Sequence, residues 1–276
     1  MTAEKHRHAG QETLRAQRRT PMALLLWLGL ACATLPAWVQ SHAWAQSDDQ
    51  EQAARYGACM DLVSLDPDQA LEQAQTWADL GGGDPARHCA AVALLRLGHY
   101  AAAGEELETL ASSLEQSFAF LQIPILIQAG QAWFLAENLE RAHAVQSIAL
   151  AREPNNVELL VDRSMTAAAA GDFAAALSDI DRAQANAPQR ADILVLRASA
   201  HRYLDQPARA LADVERALAL DPRNAEGYLE RGNLRRLAGD DAGARSDWIE
   251  AANLAPESAT AAAAQANIAK LDLKVE

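Results

Sequence analysis

The sequence predicts an all-α protein built as a row of stacked helix–turn–helix units, and three observations predict it. Pro154, Pro188, Pro222 and Pro256 recur at intervals of 34 residues. Small residues keep the same interval in three further phases: Gly130, Ser164, Ala198 and Gly232; Ala142, Ala176, Ala210 and Ala244; and Ala149, Ala183, Ala217 and Ala251. Half of the residues are hydrophobic but only 5% are aromatic, so the core is made chiefly of Ala and Leu, which favours closely packed helices over sheets.

Each phase has a physical reason. Two antiparallel helices approach to about 8–10 Å only where the facing side chains are small. One small residue on the first helix and two on the second let a hairpin close. Pro after the second helix disfavours helical backbone in the preceding residue and stops the helix there. Gly171-Asp172, Asp205-Gln206 and Gly239-Asp240 punctuate the two helices of a unit.

At these residues the sequence resembles the tetratricopeptide-repeat (TPR) family, whose pattern has small residues at its eighth, twentieth and twenty-seventh positions and Pro at its thirty-second. Four units match, 123–156, 157–190, 191–224 and 225–258, and Ala217-Leu-Ala-Leu-Asp-Pro222 is close to the family's second-helix ending. A divergent unit occupies 84–122, with Gly98-His99-Tyr100 as its turn. A degenerate unit at 46–83 has Ala70 in phase and ends in Gly81-Gly82-Gly83, with Asp84 expected to cap the next helix ahead of Pro85. Residues 259–276 are expected to form a capping helix and tail, since the terminal units of solenoids are atypical. The resemblance implies a right-handed superhelical solenoid that binds protein or peptide segments.

The first 45 residues stand apart. Lys5, Arg7, Arg15, Arg18 and Arg19 precede an apolar run from Met22 to Leu35, and Ala43-Trp44-Ala45 precedes Gln46. A basic flank, a short apolar core and a small-x-small site make a secretory signal, expected to be cleaved after Ala45 and to deliver the protein to the periplasm. The alternative is an uncleaved membrane anchor, although the apolar run is shorter than the roughly 18 residues of a span. Two cysteines then remain, Cys59 and Cys89, on the first helices of neighbouring units. An even pair in an exported chain reads as a disulfide; the alternative is two inert buried thiols.

A second ladder runs in the same register. Arg163, Arg197 and Arg231 are 34 apart, as are Asp179, Asp213 and Asp247, and each Arg precedes its Asp by 16 residues. Each Arg adjoins the small eighth position, which places partly buried Arg–carboxylate pairs at the seam between helices; the alternative is a solvated face carrying weak pairs.

No chemistry is expected. His88, His99, His143 and His201 have no metal-ligand spacing. His88 and Cys89 are adjacent on a helix and point about 100° apart, which does not suit a nucleophile pair. No Gly-rich phosphate loop follows a strand. The formal charge of −13 excludes nucleic acid as a main partner. No cofactor, metal or small-molecule substrate is expected, and the protein is read as no enzyme.

The resemblance places the partner-binding groove on the first helices, at Gln131, Phe134, Met165, Ser199, Arg202, Tyr203, Asn233 and Arg236. One edge is expected to be acidic (Glu158, Asp192, Glu226) and the other basic (Arg202, Arg236). Some family members clamp a peptide's C-terminal carboxylate with Lys and Asn. Here the ninth positions are Gln131, Met165, Ser199 and Asn233 with no accompanying Lys, so that mode is not expected. The function expected is an envelope adaptor or assembly factor that binds a protein or peptide; the alternative is a permanent structural subunit of an envelope complex, with or without a membrane tether.

Overall fold

The computed structural model describes residues 37–114 and 120–273, with side chains from residue 50 onward. The signal-like residues 1–36 lie outside the described residues, and the expected cleavage position after Ala45 falls within the first helix, α1 (Ala37–Leu65). Among the described residues there is no strand, and no helix is long and apolar enough to cross a membrane.

From Asp48 onward the chain forms one unit of consecutive antiparallel hairpins. After α1 come α2 (Pro67–Trp77), α3 (Gly83–Arg96), α4 (Tyr100–Ser113), α5 (Gln122–Leu135) and α6 (Leu139–Arg152). They are followed by α7 (Val157–Ala169), α8 (Phe173–Asn186), α9 (Ala191–Tyr203), α10 (Pro207–Leu220), α11 (Ala225–Leu237), α12 (Asp241–Leu254) and α13 (Ala259–Asp272). From α2 onward each helix packs on the next, and the first helices α5, α7, α9, α11 and α13 also touch one another in turn. That second set of contacts lines one side of the row with first helices.

The 34-residue period is visible in the backbone. The second helices end at Arg152, Asn186, Leu220 and Leu254, and the residue after each, just before a Pro, leaves the α region (Glu153 φ −122°, Ala187 φ −137°, Asp221 φ −134°, Ala255 φ −135°). The Pro ring excludes helical backbone from the residue before it, so the stop is local and steric. Asn156, Asn224 and Ser258 cap α7, α11 and α13 by accepting from the backbone N–H three residues on. Asn138, Asp172 and Asp240 do the same for α6, α8 and α12. α10 lacks a side-chain cap but opens on Pro207, whose missing N–H costs nothing there. Between the helices of each hairpin one residue takes positive φ: Glu137, Gly171, Asp205 and Gly239. Only the two glycines do so without a Cβ penalty.

The small positions are where helices meet. Ala142, Ala176, Ala210 and Ala244 are at most 1% exposed, and Ala149, Ala183, Ala217 and Ala251 are fully buried. At Gly232 an added Cβ would stand 2.5 Å from the Trp248 indole nitrogen and 3.1 Å from the Ala244 carbonyl oxygen. At Gly104 it would stand 2.6 Å from the Trp133 ring. In both places a large buried indole fills the room that the missing side chain leaves.

The N-terminal end departs from the regular pattern. α2 runs into a π-helical turn at Ala78–Gly82, with Gly81 at φ +90°. Gly82, rather than Asp84, stands at the N-cap of α3, and Asp84 pairs with Arg87 at 3.7 Å within the first turn. A disulfide joins Cys59 of α1 to Cys89 of α3 across a Cα–Cα distance of 6.3 Å. It lies in an apolar cluster with Val63, Ala70, Ala74, Ala90 and Ala93. Closing a loop of this size contributes about 3–4 kcal/mol in the chain-entropy model. Contacts in such an array run only between neighbours, so the loss on reduction stays local. Reduction, or Cys59→Ser, is therefore expected to speed hydrogen exchange in α1 and α2 while α9 and α10 keep their protection; unchanged exchange in α1 would refute the stapling role.

Candidate functional site

The repeated Arg and Asp residues meet within each hairpin. Arg163 donates to both carboxylate oxygens of Asp179 at 2.7 Å. Arg197 donates to Asp213 at 2.7 and 2.5 Å, and Arg231 to Asp247 at 2.9 and 2.7 Å. The side chains of Asp179, Asp213 and Asp247 are only 7%, 10% and 5% exposed. Hydrogen bonding to the carboxylate raises the already high pKa of each guanidinium. The fork also reaches the previous unit. Arg163 donates its third bond to Ser147 at 3.1 Å and Arg197 to Asp181 at 3.2 Å. These two pairs thus tie the helices of a hairpin to each other and to the neighbouring unit. Arg182 and Arg216 add a second periodic tie, each donating to the carbonyl of the Pro that ended the preceding unit.

The groove residues divide between two adjoining hollows on the first-helix side. A smaller one, about 280 Å³, is lined by Phe134 of α5, Met165 of α7, Phe173 of α8, and Ser199 and Tyr203 of α9, with Leu196 and small residues behind. Phe173 and Tyr203 stack face to face with ring centroids 4.1 Å apart. Met165 and Tyr203 are exposed, at 41% and 56%. A larger hollow, about 920 Å³, is lined by Arg202 and Tyr203 of α9, Asn233, Arg236 and Leu237 of α11, Trp248 of α12, Asn267, Lys270 and Leu271 of α13, and Leu273. Tyr203 belongs to both. Gln131 lies in neither; its amide donates to Asp162 at 3.2 Å.

A polar network forms the floor of the larger hollow. Arg202 donates to both oxygens of the buried Glu230, at 2.6 and 3.2 Å, and stacks over the Tyr203 ring at 4.2 Å. Asn233 accepts from the Trp248 indole at 3.2 Å and from the Asn267 amide at 3.0 Å. These bonds hold Arg202 and Asn233 in place. Arg236 stands at the wall, 3.0 Å from the half-exposed Asp241. Lys270 is exposed and has no carboxylate partner among the described residues. The acidic edge is also partly engaged: Arg190 donates to both oxygens of Asp192, at 3.1 and 2.5 Å, and to Glu158. The Arg190 guanidinium holds the Asp192 carboxyl below its ordinary range. Four of the five edge charges, Glu158, Asp192, Arg202 and Arg236, are thus held in ion pairs, and Glu226 is exposed.

Lys270 falls in the 34-residue register after Arg202 and Arg236, but sequence reasoning read residues 259–276 only as a cap and did not extend the groove positions onto them. Sequence reasoning also missed Glu230 as the partner of Arg202, since their separation of 28 residues links two units and belongs to no repeat position. The His88 ring is structural. It accepts from the Tyr56 hydroxyl at Nδ1 (2.9 Å) and donates from Nε2 to Gln128 (2.8 Å), linking three first helices, while Cys89 is consumed in the disulfide.

No protein-family model matches the chain, and no curated protein matches it in sequence. Solved structures do. The C-terminal part of a TPR repeat-containing protein from Cytophaga hutchinsonii superposes with a TM-score of 0.58 at 15% identity, over 72% of this chain and 78% of that one. A thermophilic TPR protein of Thermus thermophilus gives 0.55 at 20% identity, over 69% of this chain and all of that one. MamA from Desulfovibrio magneticus RS-1 gives 0.53 at 19% identity, over 67% and 97%. At such identities the likeness is one of fold, and it agrees with the period, the hairpins and the row of first helices: the chain has the fold of a tetratricopeptide-repeat solenoid.

Proposed function

We propose that this protein is a non-catalytic scaffold that holds extended segments of protein partners along its first-helix side, working in the cell envelope after export. The observation that carries the binding reading is the pair of hollows sharing Tyr203, which bring Phe134, Met165, Ser199, Arg202, Asn233 and Arg236 onto one continuous surface. Exposed aromatic and Met side chains flanked by cations are what a protein-binding surface needs: large contact area with few rotamers to freeze, and fixed donors at the rim. Export is supported by the signal-like N-terminus and by the Cys59–Cys89 disulfide, which belongs to oxidising compartments.

A photo-crosslinking residue placed at Met165, inside the groove, is expected to capture a partner in the native envelope about tenfold more efficiently than one at Glu215, which lies exposed on a second helix. Equal yields would remove the groove from the binding reading. The same preparation, analysed by mass spectrometry, is expected to begin at Gln46; an intact N-terminus would replace cleavage by anchoring.

A further inference from the structure

We infer that the preferred partner segment is an extended acidic peptide with a large apolar anchor about five or six residues from its carboxylates. The inference rests on the scaffold reading above and goes further by specifying what the groove selects.

The larger hollow is the anomaly of this molecule. The chain carries 37 acidic residues against 24 basic ones, yet the lining of this hollow holds three cations, Arg202, Arg236 and Lys270, and no carboxylate. Arg202 is neutralised from beneath by Glu230. Arg236 shares its charge with Asp241 at the open edge, where a competing carboxylate can join it. Lys270 faces the space without a counter-ion among the described residues. Leu237 and Leu273, 68% and 75% exposed, flank these cations. Low-dielectric walls beside like charges strengthen the local field, so the hollow attracts an anionic segment against the acidic background of the rest of the surface.

The smaller hollow supplies the second half of the code. Phe134, Met165, Phe173 and Tyr203 line it, with no charged residue among the lining. A Met and three rings make a deformable apolar socket suited to one bulky side chain. It is centred on α7 and the cationic hollow on α11, two first helices further along the row. First helices about 8–10 Å apart put the two centres about 16–20 Å apart. An extended chain advances about 3.3 Å per residue, which gives the five- or six-residue spacing. The basic N-terminal residues of this same chain carry the wrong sign for the cationic hollow.

The test uses the full mature chain and fluorescein-labelled, C-terminally amidated peptides, so that every carboxylate is a side chain. One peptide carries a single Phe and three Glu separated by a five-residue Gly/Ser spacer, made in both chain directions. In the controls the Glu become Lys, or the Phe becomes Ser. The acidic Phe peptide is expected to bind about tenfold tighter than either control and to weaken as salt rises from about 50 to about 500 mM. Lys270→Glu alone, on an exposed site, is expected to weaken it about fivefold, and Arg236→Glu with Lys270→Glu to reverse the preference toward the Lys peptide. Equal binding of acidic and basic peptides, or no effect of the reversals, overturns the inference. Such a result leaves the scaffold reading to the crosslinks from Met165, which do not depend on peptide charge. Sedimentation of the free protein showing a dimer that Lys270→Glu dissolves would also overturn it, since the hollow would then be covered by a second copy.

Discussion

Replacing Asp247 by Ala is expected to cost about 3–5 kcal/mol, the range for removing one partner of a buried ion pair. Asp247 is 5% exposed and receives not one guanidinium but two: Arg231 in the bidentate bond, and Arg235 at 2.7 Å. Without the carboxylate, two partly buried cations, their side chains 22% and 34% exposed, face each other across the seam. The cost comes from this stranded charge rather than from the worth of the pair, because desolvation already offsets much of the attraction in the wild type. The variant Arg231→Ala still leaves Arg235 to neutralise the carboxylate and is expected to cost less. The double variant is expected to be milder than the sum of the singles, a coupling that a double-mutant cycle reads directly. Because contacts in the array run between neighbours, the damage concentrates in α11–α13, and hydrogen exchange should rise there before it rises in α5–α8. A loss below about 1 kcal/mol would mean that the pair behaves as a surface salt bridge.

Trp133→Ala is expected to cost a similar amount, about 3–5 kcal/mol, but through packing. The indole is 2% exposed. One edge fills the space over Gly104, its nitrogen donates to Glu108, and Arg141 lies over its face at 3.9 Å. Truncation leaves a cavity walled by α4, α5 and α6, and frees Glu108 and Arg141 from the ring that aligned them. The adjoining helices cannot collapse into the void without breaking the periodic stacking on either side. Gly104→Ala combined with Trp133→Ala should recover only a small part of the loss, since one methyl fills little of an indole. Urea unfolding of the single and double variants measures both. A loss under about 1.5 kcal/mol for Trp133→Ala would show that the site relaxes freely.

What could be read from the sequence was whatever repeats. Pro154, Pro188, Pro222 and Pro256 marked four helix stops because the Pro ring acts on its own neighbour and needs no tertiary context. Ala142, Ala176, Ala210 and Ala244 marked the closest approaches because backbone contact tolerates nothing larger. The groove was legible only where it keeps register. Phe134, Met165, Ser199, Tyr203 and Arg236 line the two hollows, but Gln131 turns aside to Asp162. Arg202 and Asn233 line the larger one as framework residues whose bonds are already committed to Glu230, Trp248 and Asn267. Lys270 continues the 34-residue spacing of Arg202 and Arg236 and was passed over because the terminal helix was read only as a cap, whereas Glu230 was invisible because it meets Arg202 by convergence of two units. Asp84 shows the opposite error, a local capping rule overridden by the glycine-rich turn that starts α3 ahead of it.

The bridge between α1 and α3 makes the order of the leading helices depend on the redox state of two side chains. Thiols kept apart by a reducing solvent leave the first hairpin held by the few apolar contacts around Val63 and Ala74. The reduced form is expected to offer proteases a loosened leading end that the bridged form withholds.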